Sequence, residues 1–92
     1  MYVLLVYDIE TDEQGRKIIQ RVFKICKKYL IHIQNSVFEG EISKPDLILL
    51  QKELDCYIRK DKDSVIVFQS RQARWLKKEF WGKKDDKTSN FL

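Results

Sequence analysis

The chain has 92 residues, of which 43% are hydrophobic and 35% charged, and it contains only three Gly and one Pro. This length and composition predict one globular domain and exclude a disordered or low-complexity chain. The apolar run that opens the sequence is too short to span a bilayer and has no basic segment before it. We therefore expect neither a transmembrane helix nor a signal peptide.

Positive charge is concentrated in two segments, within a net charge of +4. Residues 14–38 carry six basic side chains and no acid, and residues 71–92 carry seven basic side chains against three acids. Two such segments are typical of a protein that binds a polyanion such as nucleic acid. Solvated helix faces are also often basic, so both interpretations stay open.

The two cysteines, Cys26 and Cys56, are far apart in the sequence and have no accompanying His cluster. This spacing argues against a zinc site and against a disulfide framework. Both fall among apolar residues, so we expect reduced thiols in the core of a cytoplasmic protein.

The first stretch, Met1 to Asp8, is a nearly unbroken apolar run that ends in a carboxylate. Its Val, Leu and Tyr residues predict a central strand buried on both faces. An acid at the end of such a strand is held rigidly and reaches solvent, which makes Asp8 a candidate metal ligand or catalytic group. Alternatively, Asp8 only opens the following turn, because Asp-Ile-Glu-Thr-Asp also has turn and cap chemistry.

A predicted helix follows the polar loop at residues 10–15 and ends near Leu30. Apolar residues recur in it at helical spacing on two adjoining rows. A basic row lies beside them, formed by Lys17, Arg21, Lys24 and Lys28. The helix is therefore expected to carry a core face and a positive face side by side.

The middle of the chain predicts two short strands, 31–35 and 37–42, because Asn35 and Ser36 supply turn residues between them. Ser43 resembles an N-cap with Asp46 three residues later, so a second helix is predicted over 44–59. We expect this helix to bury Leu47, Leu50, Leu54, Tyr57 and Ile58.

A charged turn at 60–63 and a β-branched strand at 64–69 complete the order strand, helix, strand, strand, helix, strand. This order predicts an α+β fold, a ferredoxin-like βαββαβ sandwich, for a domain of residues 1–70. Residues 71–92 form a C-terminal extension in which 76–81 is an extra strand or a helix. Its tail ends in Phe91 and Leu92, which we expect to cross to a partner subunit in a homodimer and extend that subunit's sheet.

Two motifs carry a family resemblance. Val6-Tyr7-Asp8, followed by the run from Gln34 to Glu41 (Gln-Asn-Ser-Val-Phe-Glu-Gly-Glu), closely resembles the small CRISPR-associated endonuclease family of the adaptation machinery, the second numbered Cas protein (Cas-two). A Tyr-Asp pair alone carries little information, whereas its combination with the second run is specific. The resemblance covers residues 1–70 and is looser beyond Ser70.

The resemblance implies a ferredoxin-like homodimer in which Asp8 faces Asp8 of the partner subunit across the two-fold axis. It implies a magnesium-dependent endonuclease of single-stranded RNA or double-stranded DNA, with Asp8 as catalytic residue and shared Mg²⁺ ligand. It also implies a dimer that serves spacer acquisition with the Cas-one integrase. Together with the basic row, it gives the expected nucleic-acid-binding residues as Tyr7, Arg16, Lys17, Arg21, Lys24, Lys28, Ser36 and Phe38.

Two hypotheses follow: a metal-dependent nuclease, or a non-catalytic dimeric scaffold that holds spacer DNA and the Cas-one integrase. Mg²⁺ usually binds one or two carboxylates plus waters, and a single chain offers only Asp8 in a suitable place. For three other residues, a purely structural role stays open as an alternative to a functional one. Phe38 also suits the core or a dimer interface, Ser36 the turn, and His32 a structural position on a strand.

Overall fold

The computed structural model of the protein describes residues 1–72 and 77–82. Its elements are β1 (Tyr2–Asp8), α1 (Glu13–Tyr29), β2 (Ile31–Gln34), β3 (Val37–Glu41), α2 (Lys44–Asp55) and β4 (Ser64–Ser70). The strands form one antiparallel sheet in the order β2-β3-β1-β4. The predicted α+β class and the predicted order of elements are therefore confirmed, and β1 lies inside the sheet with β2 and β4 at its edges.

The strand β1 is buried on one face only. Val3, Leu5 and Tyr7 are buried, whereas Leu4 and Val6 between them are partly covered. The expectation of a strand buried on both faces is wrong for the single chain, because residues of both helices pack on the same side of β1. The core on this side contains Val3, Leu5, Tyr7, Ile9, Val22, Ile25, Cys26, Leu30, Phe38, Ile42, Leu50 and Leu54.

The helix α1 begins at a side-chain cap, because Asp12 Oδ1 accepts a hydrogen bond from the Gly15 N–H at 2.7 Å. Such a cap satisfies one of the backbone donors that the first helical turn leaves unpaired. Val22, Ile25 and Cys26 are buried against the core, and the basic row beside them is exposed. The prediction of one helix with a core face and a positive face is confirmed.

The helix α2 starts as predicted, with Ser43 Oγ accepting from the Asp46 N–H at 3.2 Å, but it ends at Asp55 rather than near Arg59. A local contact follows the helix end, because the Arg59 N–H donates to Asp63 Oδ2 at 2.9 Å, four residues later, instead of continuing the helix. Tyr57 follows the helix and is exposed, so the prediction that it is buried is wrong. Neither helix in the described residues is long and apolar enough to cross a membrane.

The two cysteines differ in environment. Cys26 is buried, and burial raises the pKa of its thiol to about 12, so it is an inert core residue. Cys56 is exposed at the end of α2, where its thiol donates to the Lys52 carbonyl. The expectation that both thiols lie in the core is therefore wrong for Cys56, because it follows the buried Leu54 by two positions, about 200° around the helix.

The C-terminal extension is described only over residues 71–72 and 77–82, which form no strand in the single chain. Lys78 Nζ donates to Glu39, whose side chain is buried. Glu39 follows Phe38 in β3, so strand alternation places it on the sheet face away from the helices. An extra strand formed with a partner stays a prediction, and Phe91 and Leu92 lie outside the described residues.

Candidate active site at the end of β1

Asp8 is the last residue of β1 and lies opposite Ser64, the first residue of β4. Its side chain is exposed. Within residues 1–72 and 77–82 it makes no side-chain hydrogen bond and no ion pair. A central strand therefore ends in an exposed carboxylate that no cation among the described residues pairs with.

Asp8 contributes to a shallow open groove of about 320 Å³. The groove brings together the two motifs singled out in the sequence, because the Asn35–Ser36 turn lines it as well. The end of β1 is bonded to that turn, since the Tyr7 N–H donates to the Ser36 carbonyl at 3.1 Å. The complete lining is Tyr7, Asp8, Ile9, Ile19, Phe23, Asn35 and Ser36.

His32 supports the turn beside Asp8. Asn35 has a φ of 43°, in the left-handed region that Asn tolerates better than most side chains. Its carbonyl accepts a hydrogen bond from His32 Nε2 at 2.9 Å, and the imidazole ring packs against Phe23 and Phe38. His32 therefore has the structural role considered for it in the sequence, and the sequence did not indicate its bond to Asn35.

Two of the predicted nucleic-acid-binding residues are enclosed in the core. Phe38 is fully buried and Tyr7 is 5% exposed, with their rings 6.1 Å apart. Base stacking on Phe38 is therefore wrong for this structure, because no face of its ring reaches solvent. Burial raises the pKa of Tyr7 to about 12, so its hydroxyl stays protonated at neutral pH and does not act as a base.

The basic residues lie apart from the Asp8 groove. Arg16, Lys17, Arg21, Lys24 and Lys28 are all exposed on α1, and none of them lines that groove. Arg21, Lys24 and Lys28 line a separate groove between the helices. Lys28 is paired with Glu53, and this lysine, together with the Tyr29 hydroxyl, lowers the pKa of the Glu53 carboxyl.

An ion-pair cluster that the sequence did not reveal lies next to Asp8 along the chain. Arg59 Nη1 donates to both carboxylate oxygens of Asp12 at 2.8 Å. Its Nε and Nη2 donate to the two oxygens of Asp63 at 2.9 and 3.0 Å, and Nη2 also donates to the Glu10 carbonyl at 3.1 Å. We call Arg59, Asp12, Asp63 and the Glu10 backbone the Arg59 cluster.

The Arg59 cluster neutralises two acids near Asp8: Asp12, four residues later in the chain, and Asp63, which precedes the strand partner Ser64. Hydrogen bonds from Arg59 are the main reason that the pKa of Asp12 falls to about 2 and that the pKa of Asp63 is also lowered. Both acids are thus engaged as structural anions. The spacing of Arg59 and Asp63, four residues apart, was the available sequence signal, but it did not identify Asp12 as the second partner.

The Asp8 groove offers part of what a magnesium ion requires. Within the described residues, no three His, Cys, Asp or Glu side chains are grouped closely enough to hold a metal ion. The groove nevertheless has hard oxygen donors from Asp8, Asn35 and Ser36, and Mg²⁺ commonly keeps several waters and takes one or two carboxylates. The donor set is therefore suitable for Mg²⁺ in kind, and Asp8 is the carboxylate that it offers among the described residues.

Comparisons with known proteins show the family to which the chain is similar. Residues 1–78 match the family model described as CRISPR associated protein Cas2. The chain is 55% identical over 92 residues to a CRISPR-associated endoribonuclease Cas2 of Fusobacterium nucleatum, covering all of this chain and 87% of the relative. It is 38% identical over 91 residues to a second such protein, from Moorella thermoacetica, covering 98% and 100% of the two chains. The crystal structure of Streptococcus pyogenes Cas2 superposes with a TM-score of 0.76 at 28% identity, over 87% of this chain and 99% of that one.

Proposed function

Because the chain belongs to the family of CRISPR associated protein Cas2, we propose that it is a nuclease of CRISPR spacer acquisition that cleaves phosphodiester bonds. Its relatives are named endoribonucleases, which favours single-stranded RNA as substrate, with double-stranded DNA as the other candidate. The observation that carries the proposal is the exposed Asp8 carboxylate. It stands at the end of a rigid strand, beside the Asn35–Ser36 turn, while the neighbouring acids Asp12 and Asp63 are neutralised by Arg59.

A divalent cation is part of this proposal. Bound Mg²⁺ supplies charge neutralisation at the phosphate and lowers the pKa of an attacking water. Asp8 and Asp8 of the partner subunit are the residues that hold it. In the absence of a cation, two nearby carboxylates repel each other, which raises the pKa of one of them.

The homodimer is supported by the sheet face that the helices leave open. Ile66 and Phe68 of β4 are 52% and 51% exposed, and by strand pairing they lie beside Val6 and Leu4 of β1. An apolar surface of this kind is typical of a protein interface. A second copy of the chain covers it in the proposed dimer, which also supplies the second Asp8.

The dimer is tested by introducing a charge on this face. We expect Phe68→Glu to give a monomeric mass by light scattering at micromolar concentration, whereas the wild type is dimeric. Leu49→Glu is the matched control, because Leu49 is equally exposed but lies on α2. A dimer that survives Phe68→Glu contradicts the proposed interface.

The catalytic role is tested with Asp8→Asn, which preserves size but removes the charge that a metal ligand needs. We expect fold and dimer to persist while magnesium-dependent cleavage of RNA and DNA is lost. Asp61→Asn is the control, because Asp61 is an exposed acid in the turn before β4. Cleavage by Asp8→Asn at the wild-type rate contradicts the proposal.

A second candidate function is a DNA-binding scaffold that holds spacer DNA and the Cas-one integrase without hydrolysis. The exposed basic row on α1 favours it, because its position is suited to contacting phosphates. Reversal of two charges, as in Lys17→Glu with Arg21→Glu, should reduce the slope of log affinity against log salt by about two. Lys44→Glu with Lys52→Glu makes the same charge change on α2 and should leave the slope close to the wild-type value.

The two functions separate in one further measurement. If Asp8→Asn has no nuclease activity but still supports spacer integration with the Cas-one integrase, the scaffold is the physiological function. If integration also fails while the dimer and DNA binding are intact, hydrolysis at Asp8 is required.

A further inference from the structure

The position of Asp8 is determined by its neighbours along the chain and across the sheet. Its own side chain makes no contact that would orient it within the described residues. Glu10 follows two positions later, and Ser64 stands opposite Asp8 in β4. Asp63 immediately precedes Ser64. A group that joins Glu10 to Asp63 therefore holds the chain just after Asp8 against the chain just before its strand partner Ser64.

The Arg59 cluster joins these segments directly. The Glu10 N–H donates to Asp63 Oδ1 at 3.0 Å, and the Glu10 carbonyl accepts from Arg59 Nη2 at 3.1 Å. Both backbone groups of Glu10 are therefore held by the cluster. The Arg59 side chain is 16% exposed and that of Asp63 is fully enclosed, so these bonds are largely protected from water.

We propose that Arg59 is a positioning residue for Asp8. Its planar guanidinium holds Glu10, Asp12 and Asp63 at once, and this fixes the end of β1 relative to the start of β4. The inference rests on the proposed function, in which Asp8 meets the metal and substrate. Lysine does not reproduce the arrangement, because an ammonium group lacks the rigid fork that bonds two carboxylates in parallel.

The test compares Arg59→Lys with Lys62→Gln. Lysine keeps the charge at position 59 but loses the fork. Lys62→Gln removes a cation that contacts only Asp12 in the cluster, at 3.3 Å, and leaves Glu10 and Asp63 untouched. In the metal-free protein we expect Arg59→Lys to move the backbone amide resonances of Asp8 and Ser64, and Lys62→Gln to leave them in place.

Activity supplies the second measurement, made well below the unfolding temperature of each variant. Misplaced catalytic groups lower the rate of the chemical step. We therefore expect Arg59→Lys to reduce kcat by about 10- to 100-fold, with KM within about twofold of the wild-type value. Lys62→Gln should retain the wild-type kcat. Should Arg59→Lys not fold, Asp12→Asn serves instead, because it keeps a capping oxygen and the Arg59–Asp63 pair but weakens one arm of the cluster; a smaller change in the same direction is expected.

The outcomes separate the inference from the proposed function. If Asp8→Asn is inactive but folded Arg59→Lys has unchanged kcat and unchanged Asp8 and Ser64 resonances, the positioning role is overturned and the nuclease proposal stands. A lower unfolding temperature with unchanged kcat also overturns it, because the cluster is then only structural. If Asp8→Asn cleaves at the wild-type rate, the nuclease proposal fails, and displaced resonances in Arg59→Lys still support the positioning of Asp8.

Discussion

Asp8 and Asp63 are two carboxylates at the same end of neighbouring strands, and their surroundings differ completely. Asp63 is enclosed and accepts hydrogen bonds from the Arg59 side chain and from the backbone of Glu10 and Arg59. Asp8 is exposed and has no side-chain partner in the described residues. The difference teaches that the charge of Asp63 is used within the fold, whereas no described residue pairs with the carboxylate of Asp8.

The largest expected effect is on the enclosed member of this pair. Asp63→Ala removes the acceptor for several partly buried donors and leaves Arg59 with Asp12 as its remaining carboxylate in the cluster, so we expect a loss of about 3–5 kcal/mol in the free energy of unfolding. Urea denaturation measures this loss. The exposed Asp61→Ala should change stability by less than about 0.5 kcal/mol, and a similarly small change in Asp63→Ala would refute the structural role.

Substitution of Gly15 tests how closely the start of α1 packs against Glu10 in the loop that follows Asp8. A Cβ added at Gly15 would lie 1.8 Å from the Glu10 carbonyl oxygen, a backbone atom that has to move. We expect Gly15→Ala to cost about 1–3 kcal/mol in urea denaturation, even though alanine has the higher helix propensity. Gly82→Ala is the control, because, Gly82 and its chain neighbours aside, no atom of residues 1–72 or 77–82 lies within 4 Å of a Cβ added there; equal stability changes in the two variants would contradict the close approach.

Acid should weaken the Arg59 cluster. The pKa of Asp12 falls from its usual 3.8 to about 2 and that of Asp63 is lowered, in both cases mainly by hydrogen bonds from Arg59. A lowered folded-state pKa contributes stability that is complete above the unfolded value and is lost as pH falls through the folded value. Unfolding free energies measured in urea should therefore decrease between about pH 4 and about pH 2.

The variant Asp12→Asn isolates one acid in that titration. The unfolding free energy of Asp12→Asn should decrease less steeply between about pH 4 and about pH 2 than that of the wild type, and Asp61→Asn should follow the wild-type curve. Parallel curves for wild type and Asp12→Asn would show that this acid does not contribute to the acid sensitivity.

The smallest expected effect on stability is at Asp8. Because its carboxylate is exposed and unpartnered within the described residues, Asp8→Asn should change the free energy of unfolding by less than about 0.5 kcal/mol. A loss above about 1 kcal/mol in urea denaturation would reveal a structural contact and remove the contrast with Asp63.

Local pattern was sufficient for much of the fold and for part of the site. The strand β1, the two faces of α1 and the Ser43 cap all depend on residues close in sequence, and all were predicted. The sequence also indicated Asp8 and Ser36 as candidate site residues, and both line the same groove.

The errors arise where specific side-chain contacts, rather than periodicity, decide the outcome. After α2 ends, Asp63 accepts a hydrogen bond from the Arg59 N–H four residues earlier, and this contact has no signal in the helical periodicity. The Phe38 ring belongs to a motif typical of the family, but the motif does not reveal that Tyr7 and Phe23 surround it in the core. From the sequence, Asp12 has only the character of a helix cap, and its bonds to Arg59, 47 residues later, are seen only in the structure.

The ion pair between the buried Glu39 and Lys78 indicates how much of the chain is needed for the domain to fold on its own. Glu39 is 2% exposed, and an enclosed carboxylate is strongly destabilising when its cation is removed. Lys78 lies 39 residues later, beyond β4, so the charge balance of the sheet depends on the extension. A fragment ending at Ser70 would contain β1 to β4 and both helices but would lack this counter-ion. The shortest chain expected to reproduce the native sheet therefore ends at or after Lys78, which is also where the family match ends.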